Sequence, residues 1–230
     1  MNRNLVFVLL VVVSGCDTVS TQQRPDDYGA YRETAVGTES LFPGDSKILS
    51  DSDIDKILSY RYKPPQVSRV AILPAGWTQW GRWSEEMSMA TQQIDLNTIR
   101  TLRASPRIYD ASFLASILIP KERTVPYLRE AAARYQADLL LVYRSACRTF
   151  EKTPLFSASS SRAYCSVEAV VLDVRTGIVP FTSTSTQVYE TTTTKNDMNS
   201  TEAVLRAQLE AISKAMSEIA NALVGFLNGS

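Results

Sequence analysis

The chain has 230 residues, with 24 basic side chains balanced by 24 acidic ones and no histidine. With no basic excess, there is nothing to hold a nucleic-acid backbone. The missing histidine removes the commonest general base, the commonest metal ligand and every Ser-His or Cys-His nucleophile pair. No Gly-rich phosphate loop, Cys-x-x-Cys or Asp/Glu cluster of metal spacing takes its place, so neither cofactor nor metal is expected.

The chain opens with a short basic stretch around Arg3, an apolar run from Leu5 to Val13, and then Ser14-Gly15-Cys16. The apolar run is too short for a permanent membrane span and reads as a secretory signal peptide over residues 1–15. Val13-Ser14-Gly15-Cys16 resembles the bacterial lipobox. That resemblance implies a lipidated Cys16 as the new N-terminus, and so a partner in the membrane that takes up its acyl chains. Several acyl chains, at about 0.8 kcal/mol per buried methylene, make a stable anchor. The expected location is the cell envelope, on the periplasmic side. Asp17 points to the inner membrane, and the outer membrane stays open. Residues 16–49 are polar, with scattered Gly and Pro, and read as a flexible lipidated tether that lifts the domain from the membrane.

A single α/β domain is expected over 50–230, with its core at about 65–227. A short helix is predicted over 50–62, with Ile54, Ile57, Leu58 and Tyr62 on one face. The apolar centre of 67–74 suits a strand covered on both sides. Residues 75–83 form a loop that holds all three tryptophans, Trp77, Trp80 and Trp83, together with Arg82. A helix follows to about Arg103, with Met87, Ala90, Ile94, Ile99 and Leu102 inward. A second strand is placed at 106–111. Thr124 and Pro126 start a helix that buries Leu128, Ala131, Ala132 and Tyr135. Three antiparallel strands come next, at 138–150, 161–173 and 178–193, with a turn ending in Gly177 between the last two. The final helix, about 200–226, carries one apolar stripe: Leu205, Leu209, Ile212, Met216, Ile219 and Leu223. The fold class is therefore α/β, a mixed sheet with antiparallel C-terminal strands and helices on its faces.

Three stretches carry a family resemblance: Arg69-Val-Ala-Ile-Leu-Pro74, Leu128-Arg-Glu-Ala-Ala-Ala-Arg-Tyr-Gln-Ala-Asp-Leu-Leu-Leu-Val142, and Val170-Val-Leu-Asp-Val-Arg-Thr-Gly177. In layout they resemble curli-secretion and penicillin-binding-protein-activator lipoprotein domains, and in size and order the rhombotarget lipoproteins. The C-terminal sorting tail of some rhombotarget members is missing here, where the sequence ends Phe226-Leu-Asn-Gly-Ser230. The resemblance implies fold more than task, since such folds host several tasks.

Two cysteines remain besides Cys16, and an oxidising compartment favours pairing them. If strands 138–150 and 161–173 pair so that opposed position numbers sum to 312, Cys147 meets Cys165. The same register sets Arg144 against Glu168, Val142 against Val170, Leu141 against Val171 and Leu140 against Leu172. One alignment thus matches a cysteine pair, a charge pair and three apolar pairs. Residues 151–160 would then be an exposed hairpin loop.

The tryptophan loop is the partner-binding candidate, because Trp and Arg concentrate energy at interfaces. One or two of its rings sealing the sheet edge as core is the competing reading. The Thr-rich strand 178–193 suits edge addition or a plain solvated face. Asp138, Asp173 and Glu168 stand where acids serve local structure. The functional expectation is a non-enzymatic, membrane-anchored binding or assembly module for an envelope protein or for itself, with no catalytic residue. The alternatives are a carboxylate-dependent enzyme acting on envelope polymers and an oligomeric export component.

Overall fold

The computed structural model describes residues 18–20, 50–75, 85–153, 160–194 and 200–229. Its elements in chain order are β1 (Thr18–Ser20), α1 (Asp51–Ser59), β2 (Ser68–Pro74), α2 (Glu85–Arg103), β3 (Ile108–Phe113), α3 (Val125–Arg134), β4 (Leu139–Thr153), β5 (Ser160–Asp173), β6 (Phe181–Thr192) and α4 (Ser200–Asn228). The strands form one mixed sheet in the order β3-β2-β4-β5-β6, and β1 adds to β4. β2 runs parallel to both β3 and β4. β4, β5 and β6 are antiparallel.

The expected α/β class holds. β2 is buried from Val70 to Leu73, as its continuous apolar run requires of a strand with cover on both sides. Two adjustments have local causes. β3 begins two residues later than expected, because Pro106 has no N–H to donate and a turn, Ile108 N–H to the Ser105 carbonyl at 3.1 Å, precedes the strand. β4 runs on to Thr153 and β5 begins at Ser160, so the hairpin strands take in residues 151–153 and 160 of the stretch read as loop.

Alternate side chains divide the core in two. Val70, Ile72, Leu139, Leu141, Val167, Ala169 and Val171 face α2 and α4. Ala71, Leu73, Leu140, Val142 and Leu172 face α3, through Leu128 and Ala132. On α4, Leu209, Ile212, Met216, Ile219 and Leu223 are buried as the stripe predicted, and the small Ala207, Ala211 and Ala215, also buried, let the helix lie close to the sheet.

One end of the sheet is held by a polar cluster. The Arg69 guanidinium stacks 4.1 Å from the Tyr135 ring centre and donates to Asp110 at 2.9 Å. Burial alone would raise the Asp110 carboxyl, but hydrogen bonds from Arg69 and Arg103 outweigh it and hold the group below the usual range. The turn between β5 and β6 uses Gly177 at φ 77°. Arg129 of α3 clamps that turn, donating to the Val174 carbonyl at 2.9 Å.

On α1, Ile54, Ile57 and Leu58 share one face, as the spacing predicts, and are 41%, 44% and 69% exposed. The helix is nine residues long, and Tyr62, the fourth residue of that predicted face, lies beyond its end and donates to Asp173 at 3.4 Å. Within the segment read as a tether, Thr18–Ser20 form β1 against β4.

Candidate functional site

The predicted hairpin register is present pair for pair, from Leu140 opposite Leu172 to Cys147 opposite Cys165. The two cysteines form a disulfide with Cα atoms 4.1 Å apart. It sits on the α4 side of the sheet, where Cys165 Sγ lies 3.6 Å from the Gln208 carbonyl oxygen. Arg144 and Glu168 make the predicted ion pair at 2.7 Å. Cys16, Trp77, Trp80, Arg82 and Trp83 lie outside the described residues. The tryptophan-bearing segment follows directly on Ala75, whose N–H donates to the Tyr143 carbonyl at 2.6 Å.

The disulfide stiffens a hairpin with two unequal faces. Along its outer half, Ala163, Cys165 and Val167 are fully buried under α4. Among the described residues, no helix covers the side chains that point the other way. From the end of α3 outward, rows of opposed residues cross β4, β5 and β6. Arg144, Glu168 and Thr184 come first, then Ala146, Ser166 and Thr186, then Arg148, Tyr164 and Val188, and last Phe150, Arg162 and Glu190.

The last two rows form an amphipathic patch. Phe150, Tyr164 and Val188 are 38%, 39% and 45% exposed, and the two rings meet edge to face with centroids 5.7 Å apart. Arg162 donates to Glu190 at 2.6 Å, and Glu190 first, then Tyr164, raises its pKa. Beside the patch, among the described residues, no strand pairs with the β4 edge between Tyr143, held by β2, and Glu151, held by β1.

The patch was not among the residues singled out from sequence. The signal was there in combination: the register that pairs the cysteines also sets Arg148 opposite Tyr164 and Phe150 opposite Arg162, on the face that a helix as short as α3 cannot reach.

The three acids noted from sequence are engaged separately. Glu168 pairs with Arg144. Asp138 accepts the Arg69 backbone N–H at 2.9 Å. Asp173 accepts the Thr176 N–H and hydroxyl, both at 2.7 Å. Among the described residues, no group of three His, Cys, Asp or Glu is placed to hold a metal ion. No helix among them is long and apolar enough to cross a membrane.

No protein-family model and no curated protein matches the chain. Among solved structures, the PelC dodecamer from Paraburkholderia phytofirmans is similar, at 15% identity and a TM-score of 0.35, covering 70% of this chain and 93% of that one. The LpoB C-terminal domain from Salmonella enterica is similar at 10% identity and a TM-score of 0.29, covering 58% of this chain and 90% of that one. Lipoprotein GNA1162 from Neisseria meningitidis is similar at 11% identity and a TM-score of 0.29, covering 71% and 99%. Bacterial lipoproteins thus appear among the structures this chain resembles, but TM-scores below 0.5 assign neither family nor function. The rhombotarget type is not supported by any of these matches.

Proposed function

We propose that this chain is an envelope lipoprotein, anchored through acylated Cys16, that works as a non-enzymatic binding module for a protein partner. The partner docks on the bare outer half of the sheet. The observation that carries this reading is the patch itself: two aromatic rings and a valine, rimmed by Arg148, Arg162 and Glu190, on a hairpin locked by a disulfide. Half-exposed aromatics on a rigid platform, flanked by arginine, have the composition of an interface centre and little order to lose on binding. The open β4 edge beside the patch offers backbone groups to the same partner. Trp77, Trp80, Arg82 and Trp83, which follow β2 in the chain, are proposed as a second set of partner-binding residues. A shallow groove along α2, lined by Leu96, Ile99 and Arg100, is open and lacks such anchors.

The test is the size of the complex released from envelopes in mild detergent, for wild type and for Phe150→Ser with Tyr164→Ser. The account expects the double variant to sediment at the mass of the free chain, with its melting temperature lowered by only a few degrees. A variant that keeps the wild-type complex would refute the docking surface. If the wild-type complex contains only this chain, the partner is a second copy.

A further inference from the structure

The pairing of β1 fixes where the anchor meets the domain. Thr18 lies opposite Thr153, Val19 opposite Lys152 and Ser20 opposite Glu151. Because the pair is antiparallel, the chain read backwards from Thr18 leaves the sheet past the end of β4, at the end where Ser160 and Thr192 also lie. Cys16 is two residues further back, within a chain reach of about 7 Å.

We infer that this end of the sheet, made by Lys152, Ser160 and Thr192, faces the phospholipid headgroups of the membrane that takes up the acyl chains, so that the long hairpin stands end-on to the bilayer. The inference rests on the reading of Cys16 as acylated. It replaces the long tether by a short one. A free tether over residues 17–49 would behave as a coil with an end-to-end distance of about 30 Å and would leave the domain without a fixed orientation. With β1 in place, the opposite end of the sheet, at the Arg175 turn, stands about 45 Å higher. The face that carries Phe150, Tyr164 and Val188 then rises directly from the membrane surface. Phe150 lies three residues in from the end of β4, or about 10 Å. A partner on that face is held beside the bilayer.

The experiment uses the acylated full-length protein in vesicles of phosphatidylethanolamine and phosphatidylglycerol that carry a headgroup-linked quencher. A fluorophore is placed on Lys152→Cys in one preparation and on Arg175→Cys in another. The native cysteines do not compete, because Cys147 and Cys165 are bonded and Cys16 is acylated. Both proteins should float with the vesicles, and quenching at position 152 should exceed that at 175 several-fold. Flotation with equal quenching, or with stronger quenching at 175, overturns the orientation while leaving the anchor in place. Failure to float overturns the anchor and the orientation together. Ser20→Pro, which removes an N–H from the β4 side of β1, should still float but lose the contrast between the two positions; a contrast that survives this change means that β1 does not orient the domain.

Discussion

The two faces of the sheet are covered by helices of very different length. On one side α4 has 29 residues, about 43 Å of helix, which matches the roughly 45 Å spanned by β4 and β5. On the other side α3 has ten residues, about 15 Å. Parity decides what each face needs. Under α4, the side chains at 163, 165 and 167 are apolar and fully buried. Beyond the reach of α3, the opposite positions turn polar at Arg144, Glu168, Ser166 and Thr186 and then apolar again at Phe150, Tyr164 and Val188. There Phe150, Tyr164 and Val188 alternate with Arg148, Arg162 and Glu190, and this mixture is what the proposed docking surface rests on.

Predictions that separate the two faces can be ranked by size. The largest effect belongs to the covered side. Ile219→Ala, at a fully buried position of α4, should cost about 2–5 kcal/mol in chemical denaturation; a cost below about 0.5 kcal/mol, the range of a surface change, would mean that α4 does not hold that face. Next is the hairpin link. Replacing Cys147 and Cys165 by Ala should lose about 3 kcal/mol, and reducing the wild type should lose the same amount. Full alkylation of both cysteines in protein isolated with thiols blocked at lysis would show that the bond is absent in the cell.

A smaller effect sharpens the α2 side. Burial pushes the Asp95 carboxyl from 3.8 up to about 6, so the folded state holds that proton more tightly than the unfolded chain. The stability due to this group is therefore greatest in acid and falls as pH rises between about 4 and 6. Asp95→Asn should raise the melting temperature at pH 7 and leave it unchanged at pH 4. A gain of equal size at both values would show that the carboxyl is not desolvated. The smallest effect belongs to the bare side: Tyr164→Ser, which loses the edge-to-face contact with Phe150, should cost about 1 kcal/mol.

Much of this difference between the faces was legible in the sequence, though not by the route that finds elements. The hairpin register could be read because one alignment had to satisfy a cysteine pair, Arg144 with Glu168 and three apolar pairs at once. The stripe on α4 could be read because six apolar residues stepped by four and three. The bare face could not be seen strand by strand, since Phe150 and Tyr164 look like ordinary strand aromatics until the reach of α3 is set against the length of β5. β1 was hidden for a different reason. Thr18-Val19-Ser20 has no pattern of its own, and its conformation is set by the open edge of β4 rather than by local preference. In α1 the apolar spacing was real, but periodicity says which side of a helix is apolar and not whether anything lies against it. The tryptophan loop remains a proposal alongside the patch.

The claim that the bare half of the sheet is the working surface is tested most directly by a photo-crosslinking amino acid placed at Tyr164, with Lys214 on the exposed side of α4 as the control, in intact cells. The account predicts a discrete adduct from position 164 that disappears when Phe150→Ser is added, and none from position 214. Equal adducts at both positions, or none at 164 while the protein remains folded and anchored, would contradict it.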